Sequence, residues 1–417
     1  MSDMKLSEEL EWRGFIKDKT FDDITWLDTP RTFYLGADPS ADSLTIGNLA
    51  IYMLARQLAA HGWKAVLLVG GATGLIGDPG GKDQERELKS HEEIQRNIAG
   101  LSEQVKRIFA GNDFDLVNNY DWFKDLGYLE FLRDVGKHYS MTELIQRDFV
   151  VTRMGEGGSG ISYAEFSYSL IQGYDFWWLF KHKGVELQIG GSDQWGNMLS
   201  GVPLIRKKEG KEVHALSMPL VINKATGKKF GKSESGAVWL DPKKTSPTQF
   251  YQFWINCDDE GVEDYLKIYT TISKPELETL MAEHRERPME RRAQIRLAEE
   301  VTRLVHGDAE LATARAVTEV LTGKRTLEEV TDFVLAAMRK EVPTARARIG
   351  QEIAEVLVET GLASSKTEAR RLLADNAISI NGQKTRNDRF EEYDFQDGLL
   401  LIRKGKAFKD SALIERA

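Results

Sequence analysis

The sequence is poor in whatever would tie it to an oxidising compartment, a metal or a membrane. Its single cysteine, Cys257, excludes an intramolecular disulfide and a zinc site built from cysteines. That is the usage expected of a protein kept in a reducing cytoplasm. The opening residues MSDMKLSEELEWRG lack the basic-then-apolar layout of a secretion signal. The most apolar stretch, between Lys64 and Asp78, is interrupted by glycines and is too short for a bilayer. There is no internal repeat and no low-complexity run. Positive charge is not in excess either: 56 Lys and Arg stand against 65 Asp and Glu, a net charge of −9. A wholesale polyanion binder is excluded, and any contact with nucleic acid needs a local basic face. What remains is a soluble protein whose 417 residues, 41% of them apolar, predict two to four domains with ordinary cores.

Present instead is a set of glycine-rich loops at strand ends. Thr32-Phe33-Tyr34-Leu35 reads as a strand ending at Gly36. Asp38-Pro39 then turns the chain, because proline fixes its own backbone and biases its predecessor away from helix. A helix pattern starts near Ile46 and runs to His61. Gly36 and Gly47 thus flank a strand–loop–helix unit where bare backbone can approach a phosphate chain, at a helix end that favours anions. Glycines of this kind also serve merely to turn a chain, and both readings stand.

Lys64 to Val69 is a continuous apolar run, as expected of a strand buried on both faces of a parallel sheet. It flows into Gly70-Gly-Ala-Thr-Gly-Leu-Ile-Gly-Asp78-Pro79-Gly80-Gly81-Lys82, a second loop at a strand's carboxyl end, where ligands of α/β sheets collect. Lys82 and Arg86 fall on one helical face, either as a solvated pair or as part of that site. Phe114–Val117 is a further strand, and 127–136 a helix. After the glycine-rich loop 155–160, residues 161–183 form a long aromatic helix pattern. Tyr168, Gln172 and Asp175 share one of its faces, and so polar a stripe on so apolar a helix needs partners. Residues 184–191 are another buried strand, with Ser192 or Asp193 expected to cap the helix after it. Met218–Ile222 reads as one more strand. The polar loop 223–236 then carries Lys224, Lys228, Lys229 and Lys232, as a solvated loop or as a lid over phosphates.

From Ser246 strand patterns give way to helical periodicity as far as about Thr322, an all-α unit. Residues 326–348 are charged and weakly patterned, and read as a linker or helical connector. In the last unit Ser365-Lys-Thr-Glu368 is a capping box, opening a helix with Lys366, Arg370 and Arg371. Asn381-Gly382 marks a hairpin between Ala377–Ile380 and a segment holding Lys384, and Leu399–Ile402 is a further strand. A small α+β module with one basic face is the layout of an RNA contact, unless these charges are merely scattered over the surface.

The stretches YLGADPSADSLTIGN, VGGATGLIGDPGGK, EFSYSLIQGYDF, QIGGSDQWGN and KKFGKS, in this order, resemble the bacterial tyrosyl-tRNA synthetases of class I. The resemblance covers essentially the whole chain. It implies a Rossmann-like parallel-sheet catalytic domain over 1–245, with a helical dimer segment inserted at about 118–182. An α-helical anticodon-binding domain over 246–325, a linker over 326–349 and an S4-like RNA-binding domain over 350–417 would follow. Implied partners are L-tyrosine, ATP with Mg²⁺ as substrate, tRNA(Tyr) and a second copy of the chain, with no prosthetic group.

Roles follow from the same resemblance. Tyr34 and Asp175 match the pair that binds the phenolic hydroxyl; Asp78, Tyr168 and Gln172 match positions holding the α-ammonium group. Asp38 and Gln194 match positions around the reacting carboxylate, Gln194 counted with tyrosine and Asp38, like Ser40, with ATP. Gly36, Gly47, Gly191 and Asp193 match positions along adenosine and ribose. Lys82, Arg86, Lys229, Lys232 and Ser233 match groups that stabilise departing pyrophosphate. Lys366, Arg370, Arg371 and Lys384 are the expected RNA contacts. The chemistry agrees: a substrate carboxylate attacks the α-phosphorus of ATP, so positioning and charge suffice and no protein nucleophile or metal cluster is needed. One departure stands out. Where the family signature reads His-Ile-Gly-His, this chain has Thr45 and Asn48, each able to donate a hydrogen bond but uncharged. Two rivals therefore remain at this point: a catalytically weakened paralogue that binds tyrosine or RNA, and a ligase for tryptophan, which lacks the hydroxyl that Tyr34 and Asp175 would meet.

Overall fold

The computed structural model describes residues 4–78, 89–233, 236–405 and 410–417. The chain divides into two compact units, Met1–Lys244 with Cys257–Leu297, and Thr245–Asn256 with Ala298–Ala417.

The first unit is built on a six-stranded sheet. Its strands are β1 (Asp18–Lys19), β2 (Thr32–Ala37), β3 (Lys64–Val69), β4 (Phe114–Asn118), β5 (Val185–Gly191) and β6 (His214–Met218), in the order β1-β6-β5-β2-β3-β4. All neighbours run parallel except the short edge strand β1. The apolar runs Phe33–Leu35 of β2 and Ala65–Val69 of β3 are thereby explained, since helices cover both faces of a parallel sheet. Helix α1 (Ile46–Ala60) follows β2, and α2 (His91–Ile108) lies between β3 and β4. The aromatic helix α3 (Tyr163–Lys183) is closed by a Ser162–Glu165 capping box at one end and by Gly184, at φ 67°, at the other. Phe176 and Leu179 of α3 pack with Tyr34, Val66, Leu68 and Val185 of the sheet. Strand order reverses between β2 and β5, and at their carboxyl ends an α/β sheet opens a crevice.

Two expectations are corrected here. Residues 218–222 are not a strand: β6 spans His214–Met218 and stops where Pro219, without an N–H, cannot continue a ladder. Neither Ser192 nor Asp193 caps a helix, because Ser192–Gln194 is itself a turn of 3₁₀ helix that leads into the helical turn Trp195–Met198. Beyond β6 the polar segment is an ordered double hairpin. Ile222 bridges Lys229, and β7 (Lys232–Ser233) pairs with β8 (Gly236–Ala237). It rests on α4 (Val262–Tyr269), where Phe230 stacks on Tyr265 with ring centroids 4.1 Å apart and Lys224 pairs with Asp264.

In the second unit the helix Pro247–Ile255 packs on α5 (Asp308–Leu321), which also meets α6 (Asp332–Glu341). A five-stranded sheet follows, ordered β11-β10-β12-β13-β9. Its members are β9 (Thr344–Ala347), β10 (Ser379–Ile380), β11 (Gln383–Lys384), β12 (Leu399–Arg403) and β13 (Ser411–Arg416). Residues 326–349 thus hold a helix and a sheet strand rather than a bare linker. The Asn381-Gly382 turn is as read, with φ of 47° and 83°, the left-handed pair that a tight hairpin demands. Helices α7 (Ile353–Glu359) and α8 (Lys366–Ala374) pack on each other, and residues of both enter the core of this sheet.

Candidate active site

The crevice at the ends of β2 and β5 holds a cavity of about 310 Å³. Its lining gathers Tyr34, Gly36, Asp38 and Ser40 from β2 and the turn after it, and Thr45, Gly47 and Asn48 from the start of α1. Asp78, the stripe Tyr168, Gln172 and Asp175, the group Gly191, Asp193 and Gln194, and Lys229 of the hairpin complete it. The sequence motifs therefore converge, although they are scattered over some two hundred residues. Lys82 and Arg86 lie outside the described residues, and of Lys232 and Ser233 only the backbone is described.

At the closed end sits Asp175, 2% exposed. Its two oxygens accept from different donors, Oδ1 from Trp122 Nε1 at 2.9 Å and Oδ2 from Asn119 Nδ2 at 3.1 Å. Burial nevertheless outweighs those bonds and pushes the carboxyl up to about 8. Beside it the hydroxyl of Tyr34 is buried without a partner among the described residues, and burial, with the Asp175 charge, raises its phenol well above the usual range. An unpaired buried hydroxyl next to a carboxyl is costly in an empty protein and becomes favourable when a ligand hydroxyl joins them.

Further out, three acceptors face one space. Tyr168 donates its hydroxyl hydrogen to Asp38 Oδ2 at 2.7 Å, which leaves the Tyr168 oxygen as an acceptor. Asp78 takes an N–H on each oxygen, from Gln194 at 2.6 Å and Asn197 at 3.1 Å. Gln172 Oε1 is buried with no partner among the described residues. Three acceptors match the three hydrogens of an ammonium group. Thr73 donates to Asp38 Oδ1 at 2.6 Å and accepts from Asn119, so one chain of hydrogen bonds ties this region to Asp175.

The open end is built from backbone and charge. A Cβ on Gly36 would meet only side-chain carbons at 3.7 Å or more, so packing leaves room there that glycine keeps open. Gly70 is different: a Cβ would lie 2.3 Å from Asp38 Oδ1 and 2.2 Å from Thr73 Oγ1, and only glycine lets that network close. At the N-terminus of α1 the Thr45 N–H and hydroxyl both donate to Asn48 Oδ1, at 3.0 and 2.8 Å. Lys229 Nζ stands 3.6 Å from an Asp193 carboxylate oxygen.

The family model described as "tRNA synthetases class I (W and Y)" matches residues 28–322. The chain is a class I tRNA synthetase of the tryptophan and tyrosine family. A second model, "Tyrosine--tRNA ligase SYY-like C-terminal domain", matches residues 334–409 of this synthetase. It is 42% identical to Tyrosine--tRNA ligase 1 of Enterococcus faecalis, over 97% of this chain and 98% of that one. It is 43% identical to the Tyrosine--tRNA ligase of Staphylococcus epidermidis, over 96% and 97%. Among solved structures, a C-terminally truncated mitochondrial tyrosyl-tRNA synthetase of Aspergillus nidulans is 32% identical with a TM-score of 0.67, covering 75% of this chain and 92% of that chain. A tryptophanyl-tRNA synthetase from Encephalitozoon cuniculi shares the fold, at 14% identity and a TM-score of 0.53, over 80% and 92%. The fold thus does not choose between the two amino acids.

Five polar residues of the synthetase's cleft and its shell escape the sequence pattern: Thr73, Asn119, Trp122, Gln188 and Asn197. Gln188 is the direct neighbour of Tyr34 across β2 and β5, and its Oε1 is buried with no partner. For Asn119 a signal existed, since it follows the carboxyl end of a parallel strand, β4.

Proposed function

We infer that this synthetase is a tyrosine–tRNA ligase. It joins L-tyrosine to ATP, giving tyrosyl-adenylate and pyrophosphate, and then passes the tyrosyl group to tRNA(Tyr). One observation carries the choice of amino acid: the unpaired Tyr34 hydroxyl beside the buried Asp175 carboxyl, at the closed end of the cleft. An aromatic ligand with a para hydroxyl can meet both groups, whereas phenylalanine or an indole gives the Tyr34 hydroxyl no partner. Asp78, Tyr168 and Gln172 then hold the ammonium group, and Asp38 and Gln194 keep the carboxylate aimed at phosphorus. A carboxylate oxygen forms a bond to the α-phosphorus while the bond to the bridging oxygen breaks, and pyrophosphate leaves with that electron pair. ATP enters as its magnesium complex, the cation carried on its phosphates. Its adenosine lies along Gly36, Ser40, Gly47, Gly191 and Asp193. Thr45, Asn48 and Lys229 line the part of the cleft proposed for the phosphates, and Lys82, Arg86, Lys232 and Ser233 are proposed to act on the same phosphates. In the second step the terminal ribose hydroxyl of tRNA attacks the tyrosyl carbonyl and AMP departs.

Tyrosine-dependent exchange of labelled pyrophosphate into ATP, with phenylalanine and tryptophan as competitors, tests the assignment. Exchange is expected with tyrosine alone. Equal exchange with all three would sink the pocket assignment, and none with tyrosine would favour a binding paralogue.

The C-terminal module is the proposed RNA-binding part, working in the cytoplasm. Its basic side chains are exposed but not bare. Lys366 pairs with Glu355 at 2.8 Å and Arg370 with Glu352 at 3.2 Å, Lys384 reaches the Ala377 carbonyl, and Arg371 is exposed. Surface pairs of this kind contribute about 0–1 kcal/mol and yield readily to a phosphate. Among the described residues no helix is long and apolar enough to cross a membrane. A homodimer is proposed from residues 128–163, where Tyr128, Leu129, Met141, Ile145, Met154 and Tyr163 are all exposed. Light scattering at micromolar concentration is expected to give twice the chain mass, and a monomer would count against this surface.

A further inference from the structure

A hydrogen bond that closes the first turn of α1 also fixes the direction of a side chain in the cleft. Asn48 Oδ1 receives both the Thr45 N–H and the Thr45 hydroxyl, at 3.0 and 2.8 Å. A backbone N–H can only donate, so the atom of the Asn48 amide that faces it is the oxygen. The amide nitrogen, with its two hydrogens, therefore points away from Thr45, and it has no partner among the described residues. Both side chains line the cleft, at the end where Gly47 and Lys229 also lie. The two faces of an amide are opposite in polarity. Turned over, Asn48 would present an acceptor to phosphate oxygens in place of a donor.

We propose that Thr45 serves adenylate formation as a positioning residue, holding Asn48 with its amide hydrogens toward the ATP end of the cleft, rather than contacting the nucleotide itself. The pair then does jointly what a charged imidazole at position 45 would do alone: Asn48 donates, and Thr45 decides which way. This rests on the cleft being an ATP site.

A double-mutant cycle in pyrophosphate exchange separates this from its rivals. Thr45→Val keeps the shape of the side chain and the backbone N–H, but it removes the hydroxyl, the shorter of the two donors that hold Asn48 Oδ1, and it is expected to lower kcat/KM for ATP about tenfold. Thr45→Ser should stay within about twofold of wild type, as rescue by the conservative variant. In an Asn48→Ala background Thr45→Val should cost less than about twofold, because nothing remains for Thr45 to orient. A tenfold loss in both backgrounds would mean that the hydroxyl meets the nucleotide directly, and would overturn the proposal. So would a lower unfolding midpoint with unchanged kcat/KM, which is the mark of a cap alone. If the wild type shows no tyrosine-dependent exchange, it is the tyrosine assignment that fails. ATP affinity of the same four proteins by equilibrium dialysis, with the same expected pattern, would still decide the role of Thr45.

Discussion

Asp175→Asn is expected to lower kcat/KM for tyrosine in pyrophosphate exchange by about 10²–10³-fold. The argument starts from the two donors already aimed at this side chain, Trp122 Nε1 and Asn119 Nδ2, one on each oxygen. An amide at position 175 carries one oxygen and one NH₂, so whichever way it turns, a donor faces a donor. A charge-assisted hydrogen bond contributes about 1.5–3 kcal/mol and a buried unpaired donor costs about 1–3 kcal/mol more. At about 1.4 kcal/mol per factor of ten, the two together span about 10²–10⁴-fold, and the stated loss is the lower part of that range. Phenylalanine never meets this carboxylate, so its kcat/KM should change little and the preference for tyrosine should shrink by nearly the whole factor. A preference that survives intact would remove Asp175 from the phenol site. Tyr34→Phe takes away one neutral hydrogen bond and should cost about tenfold.

The same carboxyl sets a pH dependence. Burial pushes it up to about 8, against an ordinary 3.8. Accepting a hydrogen bond from the tyrosine phenol requires the ionised form, so binding at pH 7 should release about 0.9 proton. Calorimetry in buffers of different ionisation enthalpy measures that number, and a value near zero would mean that tyrosine is held by the neutral acid. Unfolded, Asp175 loses its proton near its ordinary value; folded, it keeps it up to about 8. Between those limits the folded state binds the extra proton, so this group's contribution to stability falls as pH rises through the window.

The cleft was legible in the sequence because its parts sit in loops that break a pattern. Glycines after apolar runs, a polar stripe on an aromatic helix and a lysine-rich segment after the last strand each depart from their surroundings, and each lies on the cavity. Asn119 carries only the signal of its place after β4, and Thr73 and Asn197 depart from nothing. They are single small polar residues, and their value comes from partners 35 to 119 positions away, such as the Thr73–Asp38, Asn119–Thr73 and Asn197–Asp78 bonds. The strand at 218–222 was misplaced for a local reason, Pro219, which an apolar count overlooks. Strand β9, Thr344–Ala347, alternates exposed and buried side chains, yet Thr-Ala-Arg-Ala carries no strand propensity of its own. It is held by parallel pairing with β13, some seventy residues on, which no window of sequence can contain.

Lys229→Ala is expected to lower kcat about 10²–10³-fold while leaving tyrosine affinity unchanged. In the empty protein its ammonium stands 3.6 Å from Asp193, and both side chains are substantially exposed. Such a pair contributes about 0–1 kcal/mol, so Lys229 can leave Asp193 for a phosphate at little cost. The charge it would meet grows only as the bridging bond breaks and pyrophosphate accumulates an electron pair. Its stabilisation therefore belongs to the transition state rather than to the bound substrates, which is why kcat should carry the loss. Single donors placed in this way contribute about 2.7–4 kcal/mol in other enzymes. The hairpin that carries Lys229 does not depend on it: the Phe230–Tyr265 stack and the Lys224–Asp264 pair anchor it on α4. Lys228→Ala, one residue earlier and exposed, should change kcat by less than about twofold and serves as the control for bulk charge. Tyrosine binding by equilibrium dialysis divides the outcomes. Unchanged affinity with a lost kcat places Lys229 on the leaving group, whereas affinity falling in step with kcat would place it on the amino acid.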